Sequence, residues 1–74
     1  MIDTKVIGNR LRGLRGERSQ QMIADLLGVS AMSVSKWERG ESLPTDGLKC
    51  AIVELYSQLY GKDLTVQDIF FTCN

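Results

Sequence analysis

The 74-residue sequence predicts an all-α fold, in which five short helices form a single domain over residues 1–74. Two observations support this prediction. Apolar residues recur at the i, i+3, i+4 and i+7 spacing of an amphipathic helix in successive segments, whereas the alternation typical of strands is absent. The first four segments are each followed by a glycine, which readily ends a helix. Because a chain of this length buries only about 60% of its unfolded surface, we expect a partner or a second copy to add stability.

The first two predicted helices span residues 4–15 and 19–27. Gly16 and Gly28 follow them, and the left-handed backbone that ends a helix costs glycine nothing. Ser19 offers its hydroxyl to the free N–H groups at the start of the second helix. The residues predicted to face inward are Val6, Ile7, Leu11 and Leu14 in the first helix and Ile23, Leu26 and Leu27 in the second.

The segment over residues 19–40 has the layout of a helix-turn-helix. Ser30 repeats the capping pattern and opens the third helix, which ends at Gly40. Two short helices that cross steeply need a small residue where they touch, here Ala24, and a permissive one at the turn, here Gly28. The space beneath is filled by Val29, Val34 and Trp37. The exposed side of the third helix shows Ala31, Met32, Ser35 and Lys36, most of them near the end that a recognition helix points into the major groove.

The chain is broken at Leu43-Pro44, after which a fourth helix is predicted over residues 45–60 and a short fifth helix over residues 65–71. Gly61 ends the fourth helix. Its inward face consists of Leu48, Ile52, Leu55 and Leu59.

Charge is balanced overall and unevenly distributed along the chain. Nine basic and nine acidic residues give zero net charge, which argues against a nucleic-acid binder that works by bulk electrostatics. Between Lys5 and Arg39, however, basic residues outnumber acidic ones by four, and the remainder is acidic. The excess of positive charge therefore coincides with the first three helices.

Several function classes lack their chemistry in this sequence. There is no histidine, and two cysteines, Cys50 and Cys73, do not have zinc-site spacing, so we predict reduced thiols and no metal. No cysteine lies beside a base, and no phosphate-binding glycine loop is present, so we predict neither catalysis nor a cofactor. No apolar run approaches the roughly 18 residues of a membrane span, and no signal-peptide pattern occurs. A cytoplasmic protein, encoded by a bacterium or a phage, is expected.

The sequence resembles the phage repressor and Cro family, the XRE class of helix-turn-helix proteins, over about residues 7–59. The resemblance rests on Ser19-Gln20, Ala24, Leu27-Gly28-Val29-Ser30, Ser35-Lys36-Trp37-Glu38-Arg39-Gly40 and Leu43-Pro44. It implies a five-helix repressor-like DNA-binding domain that commonly dimerises and recognises a two-fold symmetric operator. The sequence departs from the family pattern after the first helix, where the connection is about two residues shorter and Arg18 replaces an apolar anchor.

The resemblance also implies roles for individual residues. Gln20 is expected to contact a phosphate, and Arg15 is expected to pair with Glu38 in a structural ion pair. Ser30 is a helix cap that can also donate to phosphate, because helix N-termini attract anions. The remaining residues expected to contact DNA are Ala31, Met32, Ser35, Lys36 and Arg39.

The types of side chain on the third helix limit which bases it can recognise in the major groove. Lys36 can read guanine O6 and N7, Ala31 and Met32 can touch a thymine methyl, and Ser35 can donate to either kind of acceptor. None is a bidentate Arg or Gln, so we predict modest direct readout, helped by DNA deformation and dimer spacing. Alternatives remain for Lys36, as a solvated side chain or a phosphate contact, and for Met32, as exposed filler or protein interface. Solvated charges and phosphate contacts are likewise both open for Arg10 and Arg12.

The C-terminal half, about residues 53–74, holds more apolar residues than one buried face needs. One interpretation is a wider core formed with the fifth helix. The other is a two-fold dimer interface that sets two recognition helices about 34 Å apart, one turn of DNA. The residues assigned to that interface are Tyr56, Tyr60, Ile69, Phe70 and Phe71.

Together these features predict a transcriptional regulator, a repressor that binds double-stranded palindromic DNA as a homodimer. The alternative is an antitoxin or regulatory protein-interaction module that grips a partner protein. Zero net charge and weak base readers favour that alternative.

Overall fold

The computed structural model describes residues 3–71, and its secondary structure within that range is entirely helical. The five-helix, all-α fold predicted from the sequence is confirmed. The helices are α1 (Thr4–Arg15), α2 (Gln20–Leu27), α3 (Ala31–Glu38), α4 (Asp46–Tyr60) and α5 (Val66–Phe70). No helix in the described range is both long and apolar enough to cross a membrane.

Side-chain caps fix where the helices begin. Ser19 and Ser30 were predicted as caps, and their hydroxyls accept hydrogen bonds from the backbone N–H groups of Met22 at 3.0 Å and Ser33 at 3.2 Å. Thr45 and Thr65, expected as first helical residues, are also caps, so α4 and α5 begin one residue later than predicted. Each such cap typically stabilises a helix by about 1 kcal/mol.

The core lies where α1, α2, α3, α4 and α5 meet, and it draws residues from all of them. Two residues predicted to face inward do not. The side chain of Leu26 is 55% exposed and that of Val6 is 37% exposed. Successive residues turn by about 100° around a helix, so the burial of Ala24 beside Ile23 moves the inward arc of α2 away from Leu26. The buried apolar residues are Ile7, Leu11, Ile23, Ala24, Val34, Trp37, Ile52, Tyr56, Ile69 and Phe70.

Two glycines let α1 approach the end of α3 with almost no space between the backbones. A Cβ placed on Gly8 would lie 2.8 Å from the carbonyl carbon of Glu38 and 2.9 Å from the carbonyl oxygen of Trp37. Gly40, with φ +74°, packs its Cα against the first turn of α1, where a Cβ would lie 3.1 Å from the carbonyl carbon of Thr4. The C-terminal end of α3 is therefore seated directly on α1.

Arg10 ties α1 to α5. Its Nη1 donates to the carbonyl oxygens of Ile69 at 3.2 Å and Phe71 at 2.6 Å, and more distantly to that of Asp68 at 3.4 Å. The carbonyls of Asp68 and Ile69 lie in the last turn of α5 and that of Phe71 follows it, so none has a partner within the helix. Neither interpretation offered for Arg10, a solvated charge or a phosphate contact, describes this half-buried side chain.

Candidate nucleic-acid interface

The turn between α2 and α3 sets the angle at which α3 is presented. Gly28 has the left-handed backbone conformation, φ 73° and ψ 32°, and the N–H of Val29 donates to the carbonyl oxygen of Ala24 at 2.9 Å. Ala24 itself is fully buried. Ala24, the small residue predicted at the helix contact, and Gly28, the permissive residue predicted at the turn, therefore lie where α2 and α3 meet.

One side of α3 is open to solvent. Met32 is the most exposed of the large apolar residues in the described range, at 66%. Lys36 is exposed and has no ion-pair partner among residues 3–71, while Ala31 and Ser35 are half-buried. Since these four positions fall within about 140° around the helix axis, they form one continuous face. The opposite side of α3 buries Val34 and Trp37.

Behind that face lies a buried ion pair. The carboxylate of Glu38, whose side chain is 1% exposed, accepts from Nε of Arg15 at 2.7 Å and from its Nη2 at 2.9 Å. This hydrogen bonding with Glu38 raises the pKa of Arg15. Arg15 also donates through Nη1 to the carbonyl oxygen of Arg18 at 2.7 Å. The pair that the family resemblance implied therefore joins α1, the α1–α2 connection and the end of α3.

Gln20, expected to contact phosphate, is attached to the same carboxylate. Its Nε2 donates to Oε1 of Glu38 at 3.2 Å. A side-chain amide has two N–H donors, so one holds the group on Glu38 and the other is not used by that hydrogen bond. The shortened connection before α2 is held by Arg15, which bonds both the carbonyl of Arg18 and the carboxylate of Glu38, while Gln20 links the start of α2 to that carboxylate.

Two other residues expected to contact DNA already have partners within the chain. The hydroxyl of Ser30 caps α3 and shares a second hydrogen bond of 3.1 Å with the hydroxyl of Ser33. Arg39 pairs through Nε with the carboxylate of Glu41 at 2.8 Å. Arg12, by contrast, is exposed on α1.

The residues assigned to a dimer interface divide into two groups. Tyr56, Ile69 and Phe70 are only 1–2% exposed, so within the protomer they belong to the wider core and their assignment to a dimer interface is corrected. Tyr56 faces residues of α1, α2 and α3, whereas α5 packs on α4 and α1 and buries Ile69 and Phe70. Burial also raises the pKa of Tyr56 to about 12. Tyr60 and Phe71 remain exposed, at 41% and 54%.

Tyr60 is oriented by two contacts. Its hydroxyl donates to the carbonyl oxygen of Leu14 at 2.5 Å, and the guanidinium of Arg18 lies over its ring at 5.5 Å from the centroid.

Cys50 is a free, exposed thiol, and Cys73 lies outside the described residues. Within residues 3–71 no cluster of histidine, cysteine and carboxylate side chains could hold a metal ion.

Sequence reasoning missed three residues that shape this interface, namely Gly8, Arg10 and Glu41. A glycine inside a helical pattern often has a packing reason, so Gly8 carried a usable signal. For Arg10 no local pattern distinguishes a guanidinium that binds α5 from a solvated one. The pairing of Glu41 with Arg39 depends on the way α3 ends, which no local pattern in the sequence indicates.

Comparison with known proteins agrees with this geometry. A family model described as a helix-turn-helix domain matches residues 6–61, which include nearly all of α1 and the whole of α2, α3 and α4. No curated protein and no solved structure matches the chain significantly. Because the match covers well over half of the sequence, the chain belongs to the helix-turn-helix domain family.

Proposed function

We propose that this protein is a sequence-specific DNA-binding transcriptional regulator that inserts α3 into the major groove. The observation that carries the proposal is the solvent-facing side of α3, which presents Met32 and Lys36 without a partner inside the described chain. Membership of the helix-turn-helix family supports it. The cap at Ser30 and the seat on Gly8 hold the two ends of α3, so its exposed side chains are presented on a rigid element.

Readout of the bases is assigned to a few side chains. Lys36 donates to guanine O6 or N7, and the thioether arm of Met32 packs on a thymine methyl. Ala31 and Ser35, half-buried at the same face, add a second apolar contact and one hydroxyl. Because no bidentate reader is present, part of the specificity comes from the deformability of the DNA.

Contacts to the backbone position the protein on the duplex. The free N–H of Gln20 and the N-terminal amides of α2 and α3 are the donors that suit phosphate oxygens. Glu38 holds the amide of Gln20, so the phosphate contact is pre-oriented before DNA arrives.

The regulator acts as a homodimer on a palindromic operator in the cytoplasm, and it represses by occupying that site. Two-fold symmetry in the DNA requires two copies of α3 about 34 Å apart. Tyr60 and Phe71 are the exposed aromatic residues of the C-terminal part and form the proposed contact between copies. Sedimentation of Phe71→Asp at concentrations where the wild type dimerises tests this assignment, and an unchanged dimer content would remove Phe71 from the interface.

The DNA-binding proposal is tested by selecting bound duplexes from a random library at physiological salt. Wild type, Lys36→Ala and the control Lys62→Ala are run in parallel, since Lys62 is an exposed lysine that follows α4. We expect a palindrome whose base preference relaxes at one symmetric position with Lys36→Ala and is retained with Lys62→Ala. No enrichment with any of the three proteins would contradict the proposal.

A protein-binding role is the second candidate, favoured by an open groove between α2 and α4. Leu26 stands exposed at its edge, and nearby Met22 is 44% exposed. The groove is lined by Leu26, Leu27, Ala51, Glu54, Leu55 and Gln58. A stable complex with a protein from the host, lost in Leu26→Asp and retained in Lys36→Ala, would favour this function over DNA binding.

A further inference from the structure

The C-terminal end of α3 is closed by a backbone motif that fixes the position of Glu41. The N–H of Gly40 donates to the carbonyl oxygen of Trp37 at 3.1 Å, and the N–H of Glu41 donates to that of Lys36 at 2.9 Å. With Gly40 in the left-handed conformation, this is a Schellman motif. Glu41 is therefore held against the last turn of α3 by its own backbone.

From this position the carboxylate of Glu41 binds Arg39. Oε2 of Glu41 lies 2.8 Å from Nε of Arg39, and the two side chains are 51% and 52% exposed. The other carboxylate at this end of α3, that of Glu38, is buried and paired with Arg15. Glu41 is thus the acid paired with the solvent-facing cation Arg39 at this end of α3.

We propose that Glu41 withholds Arg39 from the DNA backbone and so weakens sequence-independent binding. This inference rests on the proposed DNA-binding function and concerns its regulation. An exposed ion pair adds little to folding stability, so the pair can be removed without loss of the fold. When an arginine is paired with a neighbouring carboxylate and does not contact a DNA phosphate, it does not displace the cation bound near that phosphate. Discrimination then depends on the side chains along the exposed face of α3.

The size of the effect follows from counterion release. Each phosphate neutralised by a protein cation adds about 0.9 to the magnitude of the slope of log affinity against log salt concentration. One additional contact therefore changes affinity by about 3.5-fold between 50 and 200 mM salt. Glu41→Gln is expected to show this additional contact, because it releases Arg39 and keeps the shape of the side chain.

The test measures affinity for a duplex of mixed sequence at several salt concentrations between 50 and 200 mM. The proteins are wild type, Glu41→Gln, Arg39→Gln, the double variant, and the control Asp63→Asn. Asp63 is exposed and follows the far end of the 15-residue α4, which is about 22 Å long. Asp63→Asn removes the same charge as Glu41→Gln from a residue that follows the C-terminal end of α4, whereas Glu41 precedes its N-terminal end. Thermal unfolding of each protein confirms that the fold is retained.

We expect the slope to steepen by about 0.9 in Glu41→Gln and to return to the wild-type value in the double variant. Arg39→Gln alone should change the slope by less than half of that amount, and Asp63→Asn should leave it unchanged. The inference is overturned if Glu41→Gln binds like wild type or only like Asp63→Asn. It is also overturned if Arg39→Gln alone loses the full 0.9, because Arg39 would then already contact phosphate. Failure of every protein to bind the duplex at 50 mM salt would instead remove the proposed function itself.

Discussion

The close approach of α1 to α3 predicts different effects on stability for the same substitution at two positions of one helix. Gly8 and Gly13 both lie in α1. A Cβ at Gly8 would lie 2.8 Å from a backbone carbon of Glu38, whereas a Cβ at Gly13 would have no heavy atom within 4 Å. Replacement of glycine by alanine inside a helix ordinarily stabilises it by about 1 kcal/mol. At Gly13 we expect that gain.

At Gly8 the added methyl group collides with backbone atoms that cannot rotate away. Carbon atoms pack best at about 3.5–4.0 Å, so α1 and α3 must separate by roughly 0.7 Å or more. Overpacking of this kind costs about 1–3 kcal/mol, and it outweighs or cancels the gain in helix propensity. The difference in unfolding free energy between Gly8→Ala and Gly13→Ala isolates the packing cost, because the propensity gain is common to both.

Urea unfolding followed by circular dichroism at one protein concentration measures that difference. We expect Gly8→Ala to be less stable than Gly13→Ala by about 1–3 kcal/mol, with equal dependence on urea. The displaced α3 should also bind DNA more weakly, although Gly8 touches no base. Equal stability of the two variants would refute the close packing of α1 on α3.

Three further predictions follow from the site. Arg15→Gln should lower the free energy of unfolding in urea by about 3–5 kcal/mol, because it leaves the buried Glu38 carboxylate without its cation. A loss below about 1 kcal/mol is typical of a solvent-exposed pair and would contradict the burial of this one. Stability should fall between pH 10 and about 12, since the unfolded chain deprotonates Tyr56 while the folded chain, with the raised pKa, keeps its proton. Tyr56→Phe should lose that part of the pH dependence, and an unaltered profile would contradict the burial of the phenol. Replacing the thymine that Met32 contacts by uracil should weaken wild-type binding about fourfold, the value of one methyl group, and Met32→Ala should bind both duplexes equally.

Local signals explain why much of the fold could be predicted. A serine or threonine that satisfies the first N–H groups of a helix, and a glycine in the left-handed conformation that ends one, act over three or four residues. Ser19, Ser30, Gly28 and Gly61 therefore marked helix ends to within a residue. The helix-turn-helix is equally local, since Ala24 and Gly28 meet the demands of two neighbouring helices.

The remaining features depend on contacts between distant parts of the chain. Periodicity placed Leu26 on the inward face, but the direction in which α2 packs is decided by the burial of Ala24 against α3. From the sequence Phe70 fits a core or a dimer equally well, and its burial depends on Arg10, some 60 positions earlier, which holds α5 against α1. A glycine at position 8 indicated close packing, but the local sequence did not show that the backbone of α3 packs there.

Insertion of α3 into the major groove is tested by mapping where DNA contacts the protein. Isotope-labelled protein titrated with a duplex recovered from the selection reports on each backbone amide by NMR. We expect the largest changes on residues 31–36 and on Gln20, and we expect Lys36→Ala but not Lys62→Ala to weaken binding. Changes confined to the α2–α4 groove, around Leu26 and Leu55, would contradict the placement of α3 in the major groove.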